Sequence, residues 1–185
     1  MKVNSTWIYG LFFLTPNVFV DERGLFMESY SKKVFDNLEI KKDFVQDNHS
    51  ISKRNVIRGL HCQFSKEGQG KLVRCVRGKI LDVAVDIRPC SHTYLKHFKI
   101  VLSEENKTQL YVPPFFLHGF RVMSDEAEVL YKCSSYYSPA EEKTFRYDSH
   151  ELNIDWGLEE NPILSEKDKL APIFNSLKHV LKVSF

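Results

Sequence analysis

Over residues 79–88 the side chains alternate without a slip. Leu81, Val83, Val85 and Ile87 fall on one face, and Asp82, Ala84, Asp86 and Arg88 on the other. A period of two belongs to the β-strand, whose successive side chains leave opposite faces of a sheet. The rest of the chain breaks into similar short β-rich segments, at residues 9–14, 25–30, 44–52, 56–64, 71–76, 94–102, 109–112, 119–123 and 127–134. Their spacing and turn punctuation predict an antiparallel sandwich or barrel rather than alternating βαβ units. Arg77-Gly78, between two strand patterns, reads as a tight hairpin turn. Helical patterning is scarce: Ser31 is placed to cap a short turn through Asn37, and Ser165-Glu166-Lys167-Asp168 opens a C-terminal helix. The polar, turn-rich stretch 138–162 is expected to wrap the outside of the sheets. No repeat, low-complexity tract or linker appears, so residues 1–185 read as a single domain.

With 43% hydrophobic and 27% charged residues and a formal net charge of +2, the chain is an ordinary globular one with material for a core. Nothing in that balance supplies the clustered basic face that nucleic acid requires. Fourteen Phe, eight Tyr and two Trp suit strands, and also flat ligands that stack. Cys62, Cys75, Cys90 and Cys133 show no C-x-x-C spacing and read as thiols of a reducing compartment. Residues 7–14 are apolar and follow Lys2, but Thr15-Pro16-Asn17 comes next with no small-residue cleavage site. The run is also too short to span a bilayer. It is expected to be a first strand, in a cytoplasmic protein without a membrane segment.

In Arg58-Gly59-Leu60-His61-Cys62-Gln63, polar groups interrupt an apolar strand. Burying them without partners costs roughly 2–7 kcal/mol each, so they must be hydrogen-bonded or used. His61 could be a base, a metal ligand or a satisfied core histidine. A barrel that brought together two of His49, His61 and His118 could bind a metal. However, no histidine lies two residues from His61, as the H-x-H pair of metal-binding cupins requires, and no metal is expected. Lys71, Arg23 and Arg58 lie beside apolar segments, where a cation needs an anion. That anion could be a substrate phosphate or a carboxylate, with Glu28, Asp82 and Asp86 available. Tyr131 could supply a general acid or be a core residue with a hydrogen-bonded tip, and it shares a face with Tyr137 if its strand continues past Ser134. No G-x-S-x-G, Walker or G-x-G-x-x-G pattern is present, so serine hydrolase, P-loop and Rossmann chemistry have no support and no cofactor is expected.

Together these strings resemble one family. Asp21-Glu22-Arg23-Gly24-Leu25-Phe26-Met27-Glu28, Gln46-Asp47-Asn48-His49-Ser50, the run from Arg58 to Gln63 and Gly70-Lys71-Leu72-Val73-Arg74 carry the likeness. So do Asp82-Val83-Ala84-Val85-Asp86-Ile87-Arg88, the run from Pro113 through His118-Gly119-Phe120, Tyr131-Lys132-Cys133 and Leu164-Ser165-Glu166-Lys167-Asp168. In that order they are similar to the nucleotide-sugar 3,5-epimerases typified by dTDP-4-dehydrorhamnose 3,5-epimerase. The resemblance implies an all-β, cupin-type antiparallel jelly roll with short flanking helices, acting without metal or cofactor as a homodimer that exchanges strands. It implies a nucleotide-diphosphate 4-keto sugar as substrate, dTDP-hexose or GDP-heptose, in deoxysugar, capsule or lipopolysaccharide biosynthesis. His61 would be the base beside the C4 ketone, Asp168 its hydrogen-bonding partner and Tyr131 the acid on the opposite face. Lys71, helped by His118, would stabilise the enolate oxygen. Arg23 and Arg58, with Gln46 and Asn48, would grip the diphosphate, and Phe26, Glu28 and Tyr137 would contact the nucleoside or sugar.

Three further expectations follow. Arg58 and His61, three apart, leave a regular strand on opposite faces, so both enter one pocket only if Gly59 permits a bulge. Phe115 and Leu117 stand where the family usually carries glycine and alanine, and Asp148-Ser149-His150 where it carries Asp-Pro. A different backbone and more bulk are therefore expected around His118, with a lean away from a rhamnose precursor. A sugar 3,4-ketoisomerase and a non-catalytic carbohydrate-binding jelly roll are the alternatives, and Tyr131 retained with Lys71 and Asp168 speaks against the first.

Overall fold

The computed structural model describes residues 1–37 and 43–175. It contains β1 (Lys2–Ser5), β2 (Phe12–Thr15), β3 (Val18–Asp21), β4 (Gly24–Met27), β5 (Gln46–Lys53), β6 (Ile57–Gln63) and β7 (Lys71–Arg77). These are followed by β8 (Lys79–Asp86), β9 (His97–Ser103), β10 (Gln109–Val112), β11 (Phe116–Val122), β12 (Glu126–Cys133) and β13 (Glu142–Thr144). A six-stranded sheet runs β1-β2-β10-β7-β12-β5, and a five-stranded sheet runs β13-β6-β11-β8-β9. Every pairing between these strands is antiparallel. The architecture is the expected cupin-type jelly roll, with short helices α1 (Lys32–Asp36) and α2 (Glu166–Lys169) at its flanks. No helix among the described residues is long and apolar enough to cross a membrane.

The alternation in β8 explains how the layers form. Ile80 and Ala84 turn inward and meet Val73, Leu110 and Val129 of the facing sheet. Val83, Val85 and Ile87 turn outward, yet they are also buried, under Phe145, Leu152, Trp156 and Phe174. The stretch expected to wrap the sheets does so, and each large side chain it buries contributes roughly 1.5–3 kcal/mol. Arg121 fastens the wrap by donating to the carbonyl oxygens of Trp156 and Gly157.

Arg77-Gly78 is not a hairpin turn. β7 pairs with β10 and β12, whereas β8 pairs with β9 and β11, so the turn carries the chain from one sheet to the other. Gly78 has φ +75°, and a Cβ there would lie 2.1 Å from the Glu126 carbonyl oxygen. Only glycine fits that corner.

β3 and β4 form a separate two-stranded hairpin. Phe19, Val20, Leu25 and Phe26 on it are all more than half exposed, at 64%, 77%, 52% and 69%. Such a hairpin is marginal alone in water. The β5 strand is the outermost of its sheet, so one of its edges is unpaired among the described residues.

Candidate active site

The expected irregularity in β6 is present. Arg58 pairs with Phe120 and His61 with His118, so Gly59 and Leu60 together face the single residue Gly119. Gly59 has φ +124°, and a Cβ on it would sit 2.6 Å from the Gly119 Cα. This bulge shifts the strand's parity: Leu60 and Cys62 join the outer core, while Arg58 and His61 both line an inner cavity of about 430 Å³.

Lys71 of β7, His118 of β11, Tyr131 of β12 and Asp168 of α2 line the same cavity. His61 and Tyr131 therefore face each other from opposite sheets, across the space a ligand would fill. Asp168 arrives on a strap that zips onto the start of β6. Ile163 and Val56 form a parallel bridge, and the Ile57 amide donates to the Ile163 carbonyl. Ser165 caps α2 by accepting from the Asp168 amide at 3.1 Å, which holds that residue in place.

The Asp168 carboxylate lies 2.6 Å from His61 Nε2 and is only 4% exposed. Burial pushes the Asp168 carboxyl up, but the hydrogen bond and charge of His61, with the Ser165 hydroxyl and Lys167, bring it below the ordinary value. A carboxyl depressed in the folded protein stabilises it fully above the unfolded value of about 4, and that contribution is lost as pH falls through the folded value. The stability gap between wild type and Asp168→Asn is therefore expected to be largest near neutrality and to close below about pH 4, read as melting temperature against pH. A gap that widens on acidification would contradict the pairing.

Two cations in the cavity lack a carboxylate partner among the described residues. Lys71 Nζ lies 6.0 Å from the centroid of the Tyr131 ring. Arg58 donates from Nε to the Ser52 hydroxyl at 2.9 Å, which fixes its guanidinium. The carboxylates available in the sequence go elsewhere: Asp86 to Arg88, and Asp82 to His118. A cavity with fixed, uncompensated cations suits an anionic ligand. Tyr131 has its hydroxyl pushed above the ordinary tyrosine range, first by burial and then by the charges of Cys133 and Glu142, with Arg58 opposing. It keeps its proton at neutral pH.

The remaining expected site residues lie elsewhere. Gln46 and Asn48 are on the inward face of β5, bonded to each other at 3.0 Å, with Asn48 directly paired to Tyr131. The premise for Tyr137 fails, because β12 ends at Cys133. Tyr137 is instead held by Gln46, which accepts from its amide, and by Glu142, which accepts from its hydroxyl. Arg23, Phe26 and Glu28 are not brought to the cavity of their own chain. Arg23 is exposed on the hairpin and ion-paired to Asp21 at 2.5 Å. His49 points outward, 2.8 Å from Glu128. Among the described residues no three metal-ligating side chains converge.

Gln63, the last residue of the run from Arg58 to Gln63, is a brace. It donates to the Tyr136 carbonyl at 3.1 Å and accepts from the Ser138 amide at 2.9 Å, so it sets the loop bearing Tyr137. Lys167 lines the cavity and pairs with Glu142 at 2.7 Å; neither stands among the expected site residues, although Lys167 falls within the string from Leu164 to Asp168.

In the loop before His118, Phe115 has φ +63°, in the left-handed region that a glycine takes freely and a larger residue enters only at a cost. Leu117 is fully buried in the outer core, away from the cavity.

The family profile described as dTDP-4-dehydrorhamnose 3,5-epimerase matches residues 5–176. The dTDP-4-dehydrorhamnose 3,5-epimerase of Shigella flexneri is 50% identical over 169 residues, covering 91% of this chain and 93% of its own. The crystal structure of dTDP-4-dehydrorhamnose 3,5-epimerase from Elizabethkingia anophelis NUHP1 superposes with TM-score 0.89 at 45% identity, covering 94% of this chain and 96% of that one. A dTDP-6-deoxy-D-glucose-3,5-epimerase from Legionella pneumophila Philadelphia 1, solved with dTDP-4-keto-L-rhamnose, superposes with TM-score 0.90 at 43% identity, covering 93% and 92%. With the jelly roll, the His–Asp pair and the facing tyrosine, these matches place the chain in the dTDP-4-dehydrorhamnose 3,5-epimerase family of isomerases.

Proposed function

We propose that this epimerase inverts C3 and C5 of a dTDP-linked 4-keto-6-deoxyhexose in deoxysugar biosynthesis. His61 removes the proton from a carbon next to the C4 ketone, and the electron pair moves onto the ketone oxygen as an enolate. Asp168 fixes the His61 tautomer and offsets the positive charge the ring acquires. Lys71 and His118 stabilise the enolate oxygen, where charge grows in the transition state. Tyr131 returns a proton to the carbon from the opposite face, and the centre is inverted. The ketone is the electron sink, so the residues need only move protons. Arg58 holds the diphosphate, with Gln46 and Asn48 beside it, and Tyr137 is available to the nucleoside.

The observation that carries this reading is the company His61 keeps: a buried carboxylate behind it, a half-buried tyrosine on the facing sheet, and, in the same cavity, Lys71 and Arg58 with no carboxylate partner among the described residues. A substrate panel in D₂O tests it. Deuterium is expected at C3 and C5 of a dTDP-linked 4-keto-6-deoxyhexose and not of GDP-linked 4-keto sugars. Absence of exchange from every dTDP and GDP substrate would leave a binding protein in its place.

The functional unit is proposed to be a homodimer. The exposed apolar hairpin β3–β4 needs a cover, and the free edge of β5 beside the cavity offers one. A second copy's hairpin would bring its Arg23, Phe26 and Glu28 to the nucleotide. Four free cysteines suit the cytoplasm, where the sugar nucleotide would be met.

A further inference from the structure

His118, on the cavity wall, belongs to a second His–Asp pair, whose carboxylate the roles above leave unexplained. Asp82 is 0% exposed, on the inward face of β8 between Ile80 and Ala84 of the apolar core. Its two carboxylate oxygens lie 2.9 and 3.1 Å from Nε2 of His118. Among the described residues that imidazole is its only hydrogen-bonding side chain. Strand register sets the geometry: Asp82 pairs with Phe120 and Ala84 with His118, so the two side chains meet diagonally on one face of adjacent strands. His118 is itself paired with His61, which brings the two imidazoles to neighbouring positions on the same cavity wall.

A carboxylate this deep is costly unless a charge or several hydrogen bonds compensate it. Asp86, two residues on, has Arg88, Ser91 and Thr93 around it. Asp82 has only the ring. Because Nε2 is turned to Asp82, the nitrogen left for the cavity is Nδ1, for which no protein partner exists among the described residues. A neutral ring would present a bare lone pair there and repel a growing oxyanion. A ring carrying both protons presents an N–H donor and also compensates Asp82.

We propose that Asp82 is a positioning residue of the epimerisation: it orients His118 through Nε2 and holds it as a doubly protonated ring that donates Nδ1–H to the C4 oxygen as the enolate forms. The proton stays on His118 throughout, so no further acid or base is consumed. This deepens the role given to His118 above and rests on that reading of the cavity.

Asp82→Asn is the discriminating variant, because the amide oxygen still accepts from Nε2 while the charge is gone. A merely structural Asp82 would then tolerate the change. The expected result is a fall in kcat of about 10–100-fold with KM changed little, in a variant that remains folded at assay temperature, in the range seen when the partner behind a functional imidazole is removed. The double variant Asp82→Asn, His118→Asn is expected to be no slower than His118→Asn alone, since the carboxylate acts only through the ring. Wild-type kcat in Asp82→Asn, or additive losses in the double variant, would overturn the proposal while leaving His61 as base. Loss of exchange in the wild-type protein itself would overturn the catalytic reading instead. If Asp82→Asn does not fold, the ¹⁵N NMR signals of His118 in ligand-free wild-type protein at assay pH decide. Two N–H-type ring nitrogens support the proposal, and a bare, pyridine-type Nδ1 overturns it.

Discussion

Replacing His61 by asparagine is expected to abolish both epimerisation and solvent-deuterium exchange, with kcat reduced by at least about 10³-fold. Positioned proton transfer contributes roughly 10²–10⁴-fold by itself. Here the reaction has no route around its first step, since without deprotonation no enolate exists for Lys71 or His118 to stabilise. Asparagine is preferred to alanine for a structural reason. Asp168 is buried against His61, and truncation would leave a buried carboxylate facing a void, which destabilises by about 3–5 kcal/mol when the partner of a buried pair is removed. The asparagine amide can still donate toward Asp168, so the melting temperature should move by only a few degrees and the lost rate can be assigned to chemistry. Deuterium wash-in by His61→Asn at the wild-type rate would remove His61 from the mechanism, and the neighbouring His118 would become the base to test.

Why such a site is only partly visible in a sequence follows from its construction. The inner wall of the cavity depends on a one-residue change of parity at Gly59, and a glycine between Arg58 and His61 was a readable sign of it. Asp168 is 107 positions from His61, and no local spacing could join them; the motif strings did. The alternation in 79–88 set Asp82 on the more polar face of its strand, which the structure turns inward, and its partner depended on which strand lay beside β8. The same limit explains Arg77-Gly78. A local turn signal does not say whether the flanking strands pair with each other or enter different sheets. β3 and β13 escaped for another reason. All four residues of β3 are exposed, and β13 is the polar tripeptide Glu142–Thr144, so neither carries an inside and an outside face for a period-two pattern to record. Phe115 lies in the left-handed region of backbone space, at φ +63°, which its residue type does not announce. A non-glycine residue in that region costs of order 1–3 kcal/mol, which the packed Pro114–Gly68 contact beneath it must hold in place.

Tyr131→Phe is expected to separate the two halves of the reaction. The variant loses one oxygen from a ring that packs against the inner core, so the fold and the His61–Asp168 pair should be retained. His61 can still deprotonate the sugar, and its ring is about a quarter exposed, with 24% side-chain accessibility, so the captured proton can exchange with solvent. With no acid on the facing sheet, the enolate can be reprotonated only from the side that lost the proton. Deuterium should therefore enter recovered substrate with its configuration unchanged, while inverted product forms about 10²–10⁴-fold more slowly. The two faces are physically distinct here because His61 and Tyr131 sit on different sheets of the sandwich and line the same cavity. Wild-type protein should also hold its rate well into the alkaline range as far as Tyr131 is concerned, since burial raises that hydroxyl above its ordinary value near 10 and delays loss of its proton. Inversion by Tyr131→Phe at the wild-type rate would require a proton donor on that face other than tyrosine, with Lys71, lying over the same ring, as the group next in reach.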